Sequence, residues 1–220
     1  MTAYLPKDNK EYKKQAYWDS RFESEESYDW LARYNDVAAL VEQYVNPQAR
    51  ILVVGCGNST FSIDLYEAGY TNITNLDFSS VVIERMQAKY GESHPLMKWV
   101  VGDMLKLPEQ FAPSSFDVVI DKAAMDALMV EGGDTWSPAQ HLLASAHEMC
   151  SGITSVLVPT GLFVQISFGQ PHFRKRFLLG DQPHENTSTQ YGWTYTYHNI
   201  SIGLGYFFYV LQKIPPVESE

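Results

Sequence analysis

The chain has 220 residues, 45% of them apolar and 19% charged, which excludes disorder, collagen and coiled coil and buries about 70% of the unfolded surface without disulfide or metal staples. Sixteen basic against 26 acidic residues leave a net charge of −10, so phosphate backbones are repelled and nucleic acid is not expected as a partner. Two cysteines, Cys56 and Cys150, point to a reducing cytoplasm; with a polar N-terminus that lacks a signal-peptide stretch and no apolar run of about 18 residues, neither export nor a membrane span is expected.

The first dozen residues look mobile, and residues 12–45 predict an N-terminal helical layer. Arg50 to Gly55 is a continuous β-branched run, the pattern of a strand buried on both faces of a parallel sheet. Ser59 to Ala68 follows at helical spacing and Gly69 closes it. Asn72 to Leu76 predicts a second strand ending at Asp77, and Ser79 caps a helix that reaches Tyr90 and ends at Gly91. Leu96 to Val101 and Phe116 to Ile120 are the third and fourth strands. Ala139 to Val158 predicts a long helix stopped by Pro159, and Gly161 to Phe168 a fifth strand. Polar residues from Gly180 to Gln190 look mobile. Trp193 to Ile200 and Gly203 to Gln212 are joined so closely that they must be antiparallel neighbours. Pro215 to Glu220 reads as a frayed tail.

Strand–helix alternation of this kind predicts an α/β fold, a doubly wound and mostly parallel sheet of seven strands closed by a C-terminal antiparallel hairpin. One domain accounts for the chain: a helical layer over 12–45, a Rossmann-like core over 50–213 and a tail over 214–220.

Chemistry concentrates at Val53-Val54-Gly55-Cys56-Gly57-Asn58-Ser59, between the first strand and the first core helix. Glycines at 55 and 57 allow positive φ and a close approach of backbone to a ligand, and the helix N-terminus beyond offers unpaired N–H groups. Asp77 lies 20 positions past Gly57 at the end of the second strand, where nucleotide-binding sheets place the acid that meets ribose hydroxyls. Asp103 ends the third strand, followed by Met104. Three strand ends carrying such residues define one crevice at the switch point of the sheet; alternatively, the two acids only cap the turns that follow them.

The arrangement resembles the seven-stranded S-adenosylmethionine-dependent methyltransferases across nearly the whole chain. That resemblance implies that Gly55 and Gly57 pack against the methionine part of the cofactor and that Asp77, with Phe78 beside it, holds the ribose. Asp103 with Met104 then receives the adenine. Two positions depart from the family pattern: Val53 stands where an acid is common and Ser59 where a third glycine is common. The run Leu52 to Ser59, followed by Leu76-Asp77-Phe78-Ser79-Ser80, resembles the eukaryotic lysine methyltransferases that modify elongation factor 1 alpha. Tyr17-Trp18-Asp19-Ser20-Arg21-Phe22, Tyr28-Asp29-Trp30, Asp121-Lys122-Ala123-Ala124-Met125-Asp126 and Gln170-Pro171-His172-Phe173-Arg174 are similar to further motifs of that group, alanines replacing its Gly-Thr after Lys122. The resemblance implies that Trp18, Phe22 and Trp30 close over the cofactor, that Lys122 contacts it, and that the partner is a protein substrate, elongation factor 1 alpha.

Methyl transfer to an amine is an in-line displacement that needs no metal, and none is expected: His141, His147 and Cys150 do not make a ligand set, and Cys56 suits packing better than nucleophilic attack. A lysine with pKa near 10.4 costs about 4.6 kcal/mol to deprotonate at pH 7, whereas positioning supplies on the order of 7–11 kcal/mol. No dedicated base is therefore demanded, and none is assigned. From Ala123 to Phe173 there is no lysine or arginine, only Asp126, Glu131, Asp134 and Glu148 among charged residues, an acidic approach for a cationic side chain. Arg174 to Arg176 would meet an acidic patch beside it. Three other readings stay open on sequence alone: a nicotinamide oxidoreductase, whose third glycine is missing at Thr60, a small-molecule methyltransferase, and a cofactor-binding protein without activity.

Overall fold

The computed structural model describes residues 5–130, 136–180, 186–188 and 190–215. Strand β1 (Ile51–Val54) shows how the sheet is built: all four side chains are buried, Ile51 and Val53 in the apolar layer on one face, Leu52 and Val54 in the layer on the other. Such alternation needs helices on both faces, and each side chain so buried contributes about 1.5–3 kcal/mol. Strands β2 (Ile73–Asp77), β3 (Lys98–Val101), β4 (Phe116–Lys122) and β5 (Leu157–Ser167) join β1 in parallel. Strands β6 (Thr187–Ser188), β7 (Trp193–Ile200) and β8 (Tyr206–Lys213) add an antiparallel edge. The sheet order is β3-β2-β1-β4-β5-β8-β7-β6.

Helices α1 (Gln15–Ser24), α2 (Tyr34–Tyr44), α3 (Phe61–Glu67) and α4 (Ser80–Tyr90) bury residues in one apolar layer. Helices α5 (Leu107–Gln110), α6 (Ala124–Leu128), α7 (Gln140–Val156) and α8 (Pro171–Leu179) serve the other. In α7 the buried positions Leu142, Ala146, Met149, Ile153 and Val156 recur every three or four residues, the stripe that docks one helix face on a sheet.

Several expectations need correction. The sheet has eight strands, because Thr187–Ser188, inside the stretch read as mobile, pairs with Thr194 and Trp193. Helix α7 ends at Val156, and Pro159 sits within β5, where the register jumps from Phe116↔Leu157 to Val118↔Leu162. Pro159 and Thr160 bulge outward and are exposed, so the missing proline donor costs no ladder bond. The N-terminal layer is two helices with an extended crossing at 25–33 between them, and Asn9–Lys13, in the segment read as mobile, forms a 3-10 helix capped by Asp8. Helices α5, α6 and α8 are too short or too irregular in pattern to stand out in the sequence. The tail from 216 lies outside the described residues.

Candidate functional site

Register puts the strand ends level. Val54 pairs with Leu76 on one side and Asp121 on the other, and Asp77 pairs with Val101. The chain beyond each strand therefore leaves the sheet at one height, at the place where β1 has neighbours whose helices lie on opposite faces. A cavity of about 580 Å³ opens there. All ten residues singled out for a cofactor line it: Trp18, Phe22, Trp30, Gly55, Gly57, Asp77, Phe78, Asp103, Met104 and Lys122.

The glycine loop needs its glycines for two different reasons. Both have positive φ, +58 at Gly55 and +53 at Gly57. A Cβ on Gly55 would also lie 2.4 Å from the Cβ of Ala124, so α6 can stand over the loop only if residue 55 has no side chain. At Gly57 a Cβ would point toward Phe22, 3.5 Å away, and narrow the cavity. That opening and the acids around it are a cradle and a set of hydrogen-bond acceptors that fit a nucleoside bearing an amino-acid tail.

Asp77 is 4% exposed. Its Oδ2 accepts the Gly57 N–H at 2.9 Å and its Oδ1 accepts the Ser79 N–H at 3.0 Å. Burial pushes its carboxyl up to about 6, against the stabilising bonds from Ser79 and Gly57. Asp103 Oδ1 accepts the Leu105 N–H at 2.9 Å. Each acid thus caps the turn after it and also lines the cavity, so the capping role does not preclude one toward a ligand.

Lys122 ends β4 with its ammonium turned toward the N-terminal crossing. Its Nζ donates to the Trp30 carbonyl at 3.0 Å and lies 3.4 Å from Asp29 Oδ1. Burial lowers its pKa, and the neighbouring Asp29 carboxylate works against that. Asp29 also accepts bonds from the Ser59 and Thr60 hydroxyls. This acid was not singled out in the sequence, although its place between Tyr28 and Trp30 in the quoted motif was a signal. Ser59, where a third glycine is common, has a use here as an anchor for it.

The aromatic segment is packed. Trp18 stacks on Phe22 with ring centroids 5.5 Å apart and meets Trp30 at 6.3 Å. The Arg21 guanidinium lies 5.1–5.6 Å from the rings of Trp18, Tyr28 and Trp30 and is paired with Glu25. Asn58 and Arg85 bind the chain where α1 ends: Asn58 Nδ2 donates to the Glu25 carbonyl, and Arg85 to the carbonyls of Phe22 and Glu25. Gln15 Nε2 reaches the Phe78 carbonyl at 2.8 Å. Phe22, 3% exposed, belongs to the apolar layer under α1 as well as to the cavity wall.

At the far side, Asp121 caps α6, accepting N–H bonds from Ala124 at 2.8 Å and Met125 at 3.3 Å. Burial, then the nearby Asp126 charge, push its carboxyl up to about 6, while Gln165 donates to it at 2.7 Å. Ala123, in the slot of the family glycine, sits at φ +68. Asp126 and Arg174 form a buried ion pair, which alters the expected acidic approach. Asp126 is not a free charge, and Arg174 is not available to a partner. Arg176 donates to the Trp136 carbonyl and Lys175 to Asn186. Glu131 and Asp134 lie outside the described residues, and Glu148 is exposed on α7. Both thiols are buried with pKa values pushed up by burial, and Cys150 contacts the Phe177 carbonyl. Among the described residues no group of three or more potential metal ligands gathers, and no helix is long and apolar enough to cross a membrane.

Residues 46–203 match the protein family described as Methyltransferase domain. The chain is similar to the Mus musculus protein named EEF1A lysine methyltransferase 4, 32% identical over 212 residues that cover 95% of this chain and 79% of the relative. It is also similar to the Mus musculus protein named eEF1A lysine and N-terminal methyltransferase, 30% identical over 227 residues, which cover 97% of this chain and 30% of that protein. A solved structure described as a SAM-dependent methyltransferase from Methanosarcina mazei shares the fold, with a TM-score of 0.57 at 19% identity over 80% of this chain and 98% of its own.

Proposed function

The chain belongs to the S-adenosylmethionine-dependent methyltransferases, and from that premise we propose that its acceptor is a lysine side chain of a folded protein, elongation factor 1 alpha. The observation that carries this reading is likeness across 95% of the chain to a relative named for that substrate. It extends over the glycine loop and over the α6–α8 half, where an acceptor would enter.

When bound, S-adenosylmethionine supplies an electrophilic methyl group on a sulfonium. In this reading Gly55 and Gly57 leave room for its methionine part, and Asp77 accepts hydrogen bonds from the ribose hydroxyls. Asp103 takes the adenine amino group with Met104 and Phe78 beside the ring system, and Lys122 faces the tail of the cofactor. Trp18, Phe22 and Trp30 form the cover. The support for these roles is that all ten groups share one cavity, from five separate stretches of chain. Exclusion of water by the aromatic cover would strengthen each polar contact beneath it.

Purified protein, labelled cofactor and recombinant elongation factor 1 alpha test the reading directly. Label is expected on a lysine of the elongation factor. Label on a small metabolite, with elongation factor and extract proteins unlabelled, would replace the acceptor with a small molecule. Equilibrium dialysis should show retention of S-adenosylmethionine and not of NAD.

A further inference from the structure

The ten residues assigned to the cofactor leave part of the cavity unclaimed. That part is lined by Asp126, Ala127, Leu128, Phe168, Leu204 and Tyr206. It opens to solvent, since Phe168 is 56% and Leu204 99% exposed. Its walls are apolar and aromatic, a fit for the four-carbon stem of a lysine. Asp126 is its one carboxylate among the described residues. It sits on α6, the helix whose Ala124 stands against Gly55, so the acid lies close to where the cofactor's reactive end is proposed to be.

Asp126 is held by three residues, two at the end of β5 and one on α8. Its Oδ1 accepts the Ser167 hydroxyl at 2.6 Å and the Arg174 guanidinium. Among the described residues its Oδ2 has only the Phe168 N–H, at a long 3.3 Å. Ser167 Oγ in turn accepts from Arg174 at 2.9 Å and from the Gly169 N–H at 2.9 Å. Arg174 is 4% exposed, and its Nε and Nη1 find no partner among the described residues. A buried cation with unused donors is costly, and here it serves to fix one carboxylate with one oxygen largely free.

We propose that Asp126, held in place by Arg174 and Ser167, orients the acceptor amine through an N–H bond to Oδ2. The inference rests on the lysine-methyltransferase reading. A lone carboxylate would favour the ammonium form, which cannot react. Paired with a guanidinium, the carboxylate keeps its acceptor geometry while its charge is offset, so it holds the neutral amine at a smaller cost in proton affinity. The ammonium gives one proton to water at the open mouth before transfer. The nitrogen lone pair then forms the new N–C bond as the C–S bond breaks with its electrons to sulfur, and the methylated product carries the positive charge.

Three variants test the proposal on the full chain with elongation factor 1 alpha: Asp126→Asn, Asp126→Glu, and the double variant Asp126→Asn/Arg174→Met, which leaves no unpaired ion. Each is also titrated with S-adenosylhomocysteine. The double variant should lose about tenfold or more in kcat, with KM moving less, as expected when an orienting contact is removed. Its S-adenosylhomocysteine Kd should stay within about twofold, because the cofactor groups are untouched. Asp126→Glu should recover part of the loss. A folded double variant with kcat near the parent value overturns the proposal, as does a fall in S-adenosylhomocysteine affinity parallel to the fall in kcat. If the parent protein binds S-adenosylhomocysteine but labels no protein lysine, the lysine reading has failed and the role of Asp126 falls with it.

Discussion

At the glycine-loop end of the cavity the two strand-end acids, Asp77 and Asp103, are held by residues close in sequence or one β–α–β step away, whereas at the α6 end Asp126 is held by partners from distant elements. Asp77 bonds Ser79 two residues on, Asp103 bonds Leu105 two residues on, and even the Gly57–Asp77 bond spans one β–α–β step. Asp126 depends on Ser167 and Arg174, 41 and 48 residues away, and Asp121 adds Gln165, 44 residues away, to its local bonds with Ala124 and Met125. The first end is a local device that any well-formed parallel sheet can present. The second exists only after β4, β5 and α8 have packed, and its cost is buried charge. Conformational rigidity at the second end should therefore fail sooner when a single partner is removed.

The largest effect should follow at that second end. Arg174→Met strands Asp126 in a buried site and should cost about 3–5 kcal/mol in denaturant unfolding, with the added Asp126→Asn change recovering much of it. Equal stability of the single and double variants would remove the contrast between the two ends. Next comes the loop: Gly55→Ala combines positive φ with a clash against Ala124 and should cost about 3 kcal/mol. A loss this size would show that the local end is rigid for a steric reason and not an electrostatic one.

A smaller effect separates binding from folding. Asp77→Ala should weaken S-adenosylhomocysteine binding at least about tenfold by calorimetry, since charge-assisted bonds contribute about 1.5–3 kcal/mol each. The same group sets a pH dependence. With a carboxyl near 6 in the folded protein and about 3.9 in the unfolded chain, the folded state binds the extra proton between these values. Asp77 therefore subtracts stability as pH rises from about 4 to about 6. Ligand binding that needs the carboxylate should run the other way, weakening about tenfold per pH unit below 6. A flat profile between pH 5 and 7 would remove Asp77 from the ribose. The smallest effect is Ala123→Gly, which relieves left-handed backbone at the start of α6 but loosens the unfolded chain. A net gain of about 0.5 kcal/mol in thermal unfolding is expected.

The same contrast governs what could be read in advance. Strands β1, β2 and β4, the caps at Ser79 and Gly69, and the closing hairpin follow from periodicity and turn chemistry within a dozen residues, and the sequence placed them within a few positions. The end of α7 was misplaced because helix and strand compete for Leu157 and Val158, and pairing of Leu157 with Phe116 decides for the strand. Strand β6 is two residues long and leaves no periodic trace.

The sequence by itself determined the parallel sheet, the glycine loop and the acids at two strand ends, because each depends on local backbone preference and on spacing within one β–α–β unit. Only the tertiary structure decided that Lys122 turns to Asp29 and Trp30 and that Asp126 is bound to Arg174. The physical reason is desolvation: a charge removed from water takes whichever opposite charge or carbonyl the packed elements bring within reach, and nothing in the linear order of residues states which one that will be.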